Sequence, residues 1–146
     1  MKNKKYYHCS CKLTSVDKTH IEDYLTEVRQ KIQNGAYRFA INKKRPDNVK
    51  LFAYYAIDER KAKEIILTLN HENFSNIIRN KHKGYEHELL YVFGKTVRLE
   101  KIIGKKLVSV PLYIKINNMK FSSVIIISFH EQKYNLKYYF KRCKNE

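Results

Sequence analysis

The feature that most restricts the fold is a pair of adjacent β-strand patterns in the C-terminal half of the chain. Apolar and polar residues alternate in VSVPLYIKIN, residues 108–117, with the two-residue period of a half-buried strand. The next pattern, SVIIISFHE at residues 123–131, contains four consecutive β-branched residues, Val124 to Ile127, which favour a buried strand. Because only a short segment separates the two patterns, they predict an antiparallel hairpin.

The N-terminal half has helical periodicity instead. A T-x-x-E capping box that begins at Thr19 predicts the start of a helix, and Asn34 with the following glycine predicts its end. Two more helices are predicted over residues 49–57 and 59–69, the second with Asp58 as its N-cap.

Shorter patterns complete the assignment. Residues 36–42 predict a short strand or extended segment, and KKRPDN at residues 43–48 predicts a turn. One more turn of helix is predicted within residues 71–80, a strand over residues 89–97 and a last edge strand over residues 136–140. Helices followed by antiparallel strands indicate an α+β fold, with N-terminal helices packed on a C-terminal antiparallel sheet of three or four strands.

The length of 146 residues fits one domain. We expect that domain to span residues 19–146, because regular patterning begins there. Residues 1–18 are rich in lysine and carry no periodic pattern, so they predict a basic N-terminal extension.

The net charge of the chain favours a polyanionic partner. Lysine and arginine together number 30 against 14 acidic residues, a formal charge of +16. A charge of that size is self-repulsive, and binding to a polyanion relieves the repulsion. Nucleic acid is the leading candidate, followed by an anionic membrane and an acidic protein, while a lysine-rich genome composition is the alternative origin of the charge.

Other features suggest a protein that acts in the cytoplasm without a membrane partner. No apolar run approaches the ~20 residues of a membrane span, and the N-terminus lacks a signal-peptide core. The three cysteines, Cys9, Cys11 and Cys143, form no disulfide framework and lack the usual zinc spacing. We therefore expect reduced thiols, no metal site and no cofactor.

The register of the hairpin decides whether its polar residues form one site. A tight two-residue turn would leave His130 more than ~20 Å from Tyr113. A wider loop over about residues 118–123 would pair Tyr113 with Ser128 and gather Lys115 and His130 beside them on one polar face. Both registers bury the same apolar face, so the hydrophobic pattern does not choose between them.

The sequence resembles the MqsR family of toxins from bacterial toxin–antitoxin systems. The similar stretches are NFSNI, LYVFGKTV, LYIKI and VIIISFHEQKYNLKYYF, preceded by a similar helical segment from residue 37. They occur in the order typical of the family and span residues 37–140, and the interval between YIK and SFHE favours the wide hairpin loop. The resemblance implies a fold like that of the RelE mRNA interferases, metal-independent cleavage of mRNA, and a cognate antitoxin protein as partner.

The resemblance also implies roles for individual residues. Tyr113 matches the family's catalytic tyrosine, and His130 occupies the position of an active-site lysine near the end of the last strand. Two other polar positions of better-known members, a lysine and a glutamine, correspond to Asn76 and Val92. The departures keep a second hypothesis open, a non-catalytic module of the same fold that binds nucleic acid or protein.

RNA can be cut by activating its own 2′-hydroxyl group, which attacks the adjacent phosphate. Such an enzyme supplies a base, an acid and positive charge for the phosphorane. His130 suits the base or acid, Lys115 the charge and Tyr113 a hydrogen bond to a phosphate oxygen. We further predict a set of RNA-binding cations on the neighbouring segments. They are Arg79, Lys81, Lys83, Lys95 and Arg98.

Overall fold

The computed structural model describes residues 16–144. Its helices are α1 (Lys18–Gln33), α2 (Pro46–Tyr54), α3 (Glu59–Leu67), a 3₁₀ turn (His71–Asn73) and α4 (Tyr139–Lys144). Its strands are β1 (Tyr37–Phe39), β2 (Phe74–Arg79), β3 (Leu89–Glu100), β4 (Leu107–Asn118) and β5 (Val124–Glu131). The predicted N-terminal extension lies outside the described residues, except for its last three positions.

All five strands form one mixed sheet in the order β1-β5-β4-β3-β2. The α+β class is confirmed, but the sheet has one strand more than the three or four predicted. The pairs β5-β4, β4-β3 and β3-β2 are antiparallel, whereas β1 runs parallel to β5 and pairs Tyr37 with Val124. A three-residue strand carries too little pattern to indicate its partner, so the sequence could not predict this parallel edge.

The core lies between the helices and one face of the sheet, which we call the core face. Helix α1 buries Ile21, Leu25, Val28 and Ile32 almost completely, at helical spacing. The alternating apolar residues of β4 meet them from the sheet. Each such side chain contributes about 1.5–3 kcal/mol by leaving water, so this interface provides most of the stabilisation.

Two helix starts differ from the predictions. The N-cap of α1 is Asp17, whose carboxylate accepts a hydrogen bond from the His20 amide at 2.8 Å, so the capping box predicted at Thr19 is wrong. Helix α2 begins inside the predicted turn, because proline is well suited to the first helical position. Asp58 caps α3 as predicted.

Two other segments differ from the predictions. The single helical turn predicted within residues 71–80 is present as the 3₁₀ turn His71–Asn73, but residues 74–79 form a strand, β2, that was not predicted, since Phe74 pairs with Phe93 and both side chains enter the core. Residues 139–144 form helix α4 instead of an edge strand. The adjacent residues Tyr139 and Phe140 are both buried, which a half-exposed strand does not allow.

The other face of the sheet, which we call the open face, is partly covered by the chain between β5 and α4. This segment crosses at Gly94, where an added Cβ atom would lie 2.5 Å from Tyr138 Oη and 2.7 Å from Leu136 Cδ2. Gln132 secures the start of the crossing by donating to Leu112 O at 3.0 Å. Only glycine leaves room for so close an approach.

A buried asparagine, Asn48, joins α2 to the sheet edge. Its Nδ2 donates to Ala40 O at 2.8 Å and to Ile127 O at 2.9 Å, while its Oδ1 accepts from the Phe129 amide at 2.9 Å. These three backbone groups lie where β1 has ended and β5 continues. Asn48 therefore takes the place of the missing strand at this edge.

We predict that Asn48→Ala lowers the free energy of unfolding by about 3 kcal/mol or more, because it leaves three buried backbone groups without partners. Chemical denaturation of the variant and the wild type measures the change. Asn135→Ala is the matched control, since Asn135 is exposed and we expect its effect to stay within about 0.5 kcal/mol. A loss below about 1 kcal/mol for Asn48→Ala would contradict this assignment.

Candidate active site

The β4–β5 hairpin has the wide loop, and it brings the predicted polar residues together. Tyr113 pairs with His130, and Lys115 pairs with Ser128. The predicted partner of Tyr113 was Ser128, so the register is displaced by two residues. One residue of this displacement arises in the loop, and the second arises at a β-bulge between the pairs Ile116–Ile126 and Lys115–Ser128.

The bulge decides which face His130 occupies. Val124 and Ile126 point into the core, and regular alternation would carry Ser128 and His130 to the same face. The extra residue in the bulge reverses the alternation beyond it. Phe129 therefore enters the core at 1% exposure, and His130 lies on the open face, half-buried.

His130 is held in one orientation by its neighbours. Its Nδ1 lies 2.9 Å from the backbone oxygen of Glu131, and its ring stacks on Tyr113 with centroids 5.2 Å apart and planes at 12°. A carbonyl oxygen can only accept, so Nδ1 carries a proton. Nε2 has no hydrogen-bond partner within residues 16–144, which leaves it available to accept a proton when the imidazole is neutral.

Tyr113 keeps its hydroxyl proton over a wide pH range. Burial raises the pKa of Tyr113, and the nearby Tyr134 hydroxyl contributes in the same direction. A protonated phenol can donate a hydrogen bond to an anionic oxygen such as that of a phosphate.

Lys115 is the half-buried cation of the site. Burial lowers the pKa of Lys115, and the positive charge of Arg45 lowers it further. Lys115 lies in a cross-strand row with Asn76, Val92 and Ser128, beside the row that contains Tyr113 and His130. A lysine held this way loses its proton more readily than an exposed lysine.

An ion pair borders the site on the side of α2. Lys133 Nζ lies 2.7 Å from Asp47 Oδ2, and the two residues line a cavity of about 240 Å³ together with His130. The hydrogen bond from Lys133 lowers the pKa of the Asp47 carboxyl, with smaller contributions from the charges of Lys133, His130 and Lys50. The carboxylate therefore stays ionised close to the imidazole.

A larger concavity of about 850 Å³, which we call the basic groove, lies on the open face and is lined by Asn117 of β4. It runs between the β1–α2 connection and the loop that joins β2 to β3. Ile125 and Ile127 form its apolar floor. Its basic lining consists of Arg38, Lys44, Arg45, His82 and Lys83.

The three cations predicted in the region from the end of β2 to the β2–β3 loop differ in their positions relative to the groove. Lys83 lines the basic groove, and Lys81 is exposed in the same loop. The Arg79 guanidinium donates to the backbone oxygen of Glu86 at 2.9 Å, so it supports the loop.

The structure does not bring the two cations of β3 to the site. Lys95 lies on the opposite face from Gly94 and lines a separate cavity of about 370 Å³. Arg98 is on the open face but pairs with Ser109, four residues from Tyr113 along β4, or roughly 13 Å.

Sequence reasoning missed three cations, Arg38, Lys44 and Arg45, which the structure places along the groove and beside Lys115. Two of them belong to KKRPDN, a charged run next to a proline. The charge was a usable signal, but nothing local indicates that the parallel β1–β5 pairing carries the run to the site.

Neither residues 16–144 nor the comparisons with known proteins add a further assignment. No group of three His, Cys, Asp or Glu side chains in that range could hold a metal ion, and no helix there is long and apolar enough to cross a membrane. The chain matches no protein-family model, and no significant similarity to a curated protein or to a solved structure was found.

We predict that Arg45→Gln raises the pKa of Lys115, because a neighbouring positive charge disfavours the ammonium form. The pKa stays below that of an exposed lysine, since burial is the larger cause. An NMR titration of the Lys115 side chain measures both effects. Lys105→Gln removes a lysine at the β3–β4 turn and should leave the titration unchanged; an unmoved pKa in Arg45→Gln would refute the coupling.

Proposed function

We propose that this protein is an endoribonuclease that cuts RNA by metal-independent general acid–base chemistry. The observation that carries the proposal is the convergence of Tyr113, Lys115 and His130 on one half-buried face, with His130 Nε2 unoccupied among the described residues. Each of the three has the protonation behaviour or orientation that its role requires.

In the proposed reaction, His130 Nε2 takes the proton of a ribose 2′-hydroxyl group. The 2′-oxygen then forms a bond to the adjacent phosphorus, and the bond from phosphorus to the 5′-oxygen breaks. The products are a 2′,3′-cyclic phosphate and a 5′-hydroxyl group. The Asp47 carboxylate lines the same cavity as His130, so negative charge is present near the imidazolium formed in the first step.

Positive charge and hydrogen bonds serve the phosphate itself. The Lys115 ammonium group stabilises the phosphorane, and its lowered pKa suits it to protonate the leaving 5′-oxygen. The hydroxyl of Tyr113 donates to a non-bridging oxygen. The two replaced polar positions of the resemblance lie next to Lys115, since Val92 pairs directly with Lys115 and Asn76 pairs with Val92.

A non-catalytic module that binds nucleic acid is the second candidate. It is favoured by Val92, a buried aliphatic side chain at one of the positions where the resemblance implies a polar site residue. Such a protein would keep the basic groove and the fold without accelerating cleavage. The two candidates differ in a single measurable property, the appearance of new RNA ends.

Membership of the MqsR family, and with it control by a cognate antitoxin in the cytoplasm, is part of the same proposal. The large positive charge supports a partner of opposite charge, whether RNA or an acidic protein. A small open reading frame beside the gene, whose product relieves growth arrest, would be the corresponding genetic observation.

We predict that the purified protein cuts single-stranded RNA and that His130→Ala slows cutting about 100-fold or more, because the base is lost. Cleavage of a labelled RNA, with mapping of the new ends, measures the rate and identifies the cyclic phosphate. A deoxyribose at the scissile position should block the reaction. Tyr113→Phe should reduce the rate by a smaller factor.

His87→Ala is the matched control, because His87 is an exposed histidine of the β2–β3 loop. We expect it to cut RNA at the wild-type rate. RNA binding measured in parallel separates the two candidates. Wild-type protein that binds RNA without producing new ends, or His130→Ala that cuts as fast as His87→Ala, would exclude the proposed chemistry.

A further inference from the structure

We propose that the basic groove holds an unpaired stretch of the RNA next to the scissile phosphate, with bases against its apolar floor and phosphates along its cationic rim. The inference deepens the proposed function and rests on it for the position of the scissile phosphate. It assigns binding roles to Arg38, Lys44 and Tyr85 as well as to Lys83.

The groove and the catalytic residues lie on the same face of the sheet. On β4, Asn117 in the groove lies four residues from Tyr113, roughly 13 Å. Lys115 lies between them, and the charge of Arg45 acts on it. A chain of phosphates bound beyond Lys115 therefore enters the groove.

The rim supplies charge from both sides. Arg38 and Lys44 are exposed on the β1–α2 side, and Lys83 is exposed on the side of the β2–β3 loop. The one acidic residue in the lining, Glu88, accepts hydrogen bonds from Asn80 and Asn117, each at 3.0 Å. These two hydrogen bonds tie the loop to β4 and occupy one oxygen of the carboxylate.

The floor and one wall favour bases that are not paired. Ile125 pairs with Arg38 on β1 and with Asn117 on β4, so an aliphatic surface lies between the polar sides of the groove. Tyr85 lines the groove with 54% of its surface exposed. Exposed aromatic rings stack on the faces of unpaired bases, which a duplex does not offer.

The test measures the binding of a labelled RNA of about 12 nucleotides by fluorescence anisotropy at several salt concentrations. The RNA is 2′-O-methylated so that it is not cut. The double variant Lys44→Gln/Lys83→Gln should bind about tenfold or more weakly. The slope of log affinity against log salt should fall by about 1.4, because two phosphate contacts of a single strand are lost.

The matched control is Lys105→Gln/Lys106→Gln, which removes the same charge at the β3–β4 turn. Lys106 lies eleven residues from Asn117 along the chain, roughly 36 Å away in an extended strand. We expect its affinity to fall less than about threefold, since long-range attraction is screened by salt. Equal losses in the two double variants would overturn the proposal in favour of a general effect of net charge.

Tyr85 tests the unpaired state of the bases. Tyr85→Ala should weaken binding about tenfold and Tyr85→Phe should bind as the wild type does, because stacking needs the ring and not the hydroxyl group. A duplex of the same sequence should bind the wild type more weakly than the single strand. Equal binding of duplex and single strand, or no effect of Tyr85→Ala, would overturn the proposal.

The binding assay keeps this inference distinct from the proposed chemistry. If no RNA is cut but the Lys44→Gln/Lys83→Gln and Tyr85→Ala losses are observed, the groove assignment holds and the protein is the non-catalytic module. If RNA cleavage depends on His130 while the groove variants bind and cut RNA as the wild type does, the proposed chemistry holds and the groove assignment is wrong.

Discussion

The hydrogen bonds of one buried side chain, Asn48, are the constraint on which the site depends. Strand β1 ends at Phe39, so the backbone of β5 beyond Ile126 has no strand to pair with on that side. Asn48, in the first turn of α2, supplies two donors and one acceptor there. The Asn48 side chain thereby fixes the backbone of Ile127, which lies at the bulge, and of Phe129, which lies in the core.

Because Asn48 holds the bulge in place, the polar side chains of the candidate site all lie on the open face of the sheet. Tyr113 and Lys115 project from β4, which is paired with a strand on both sides, and His130 projects from the end of β5, which is paired with β4 there. Such a scaffold holds side chains more rigidly than a loop does. The two sides of the open face then differ in what borders them. The chain that crosses Gly94 closes one side, and the basic groove leaves the other open.

Whether a predicted helix or strand was correct depended on how far apart in sequence its interacting residues lie. Where a pattern is local and strong, as in α1 or in the alternating residues of β4, the predicted element is present with ends that differ by a few residues. The strand over residues 74–79 was missed and the predicted edge strand at residues 136–140 was wrong, because the partners of these segments, Phe93 and Phe74 respectively, are distant in sequence. A short segment adopts whichever conformation buries its aromatic rings in the existing core.

The candidate site shows the same division. The resemblance and the strand pattern together predicted Tyr113, Lys115 and His130, and the wide hairpin loop is confirmed, although the predicted pairing was displaced by two residues. Lys83 was predicted, but the cations on the other side of the groove, Arg38, Lys44 and Arg45, could not be, because their positions depend on the parallel β1–β5 pair. A parallel partner is selected by packing, and no turn joins the two strands in sequence.

The sequence by itself determined the α+β class, the charge and the residue types available for chemistry, since periodicity, composition and motif order are local properties of the chain. The strand pattern predicted His130 on the polar face, but only the tertiary structure decided that Val124 and Ile126 enter the core and that a bulge then turns His130 outward. One extra residue in the bulge changes the face of every residue beyond it, and that residue is stabilised by Asn48, some eighty positions earlier in the chain. The side of the sheet on which the groove forms was decided in the same way, by contacts between segments that no local pattern connects.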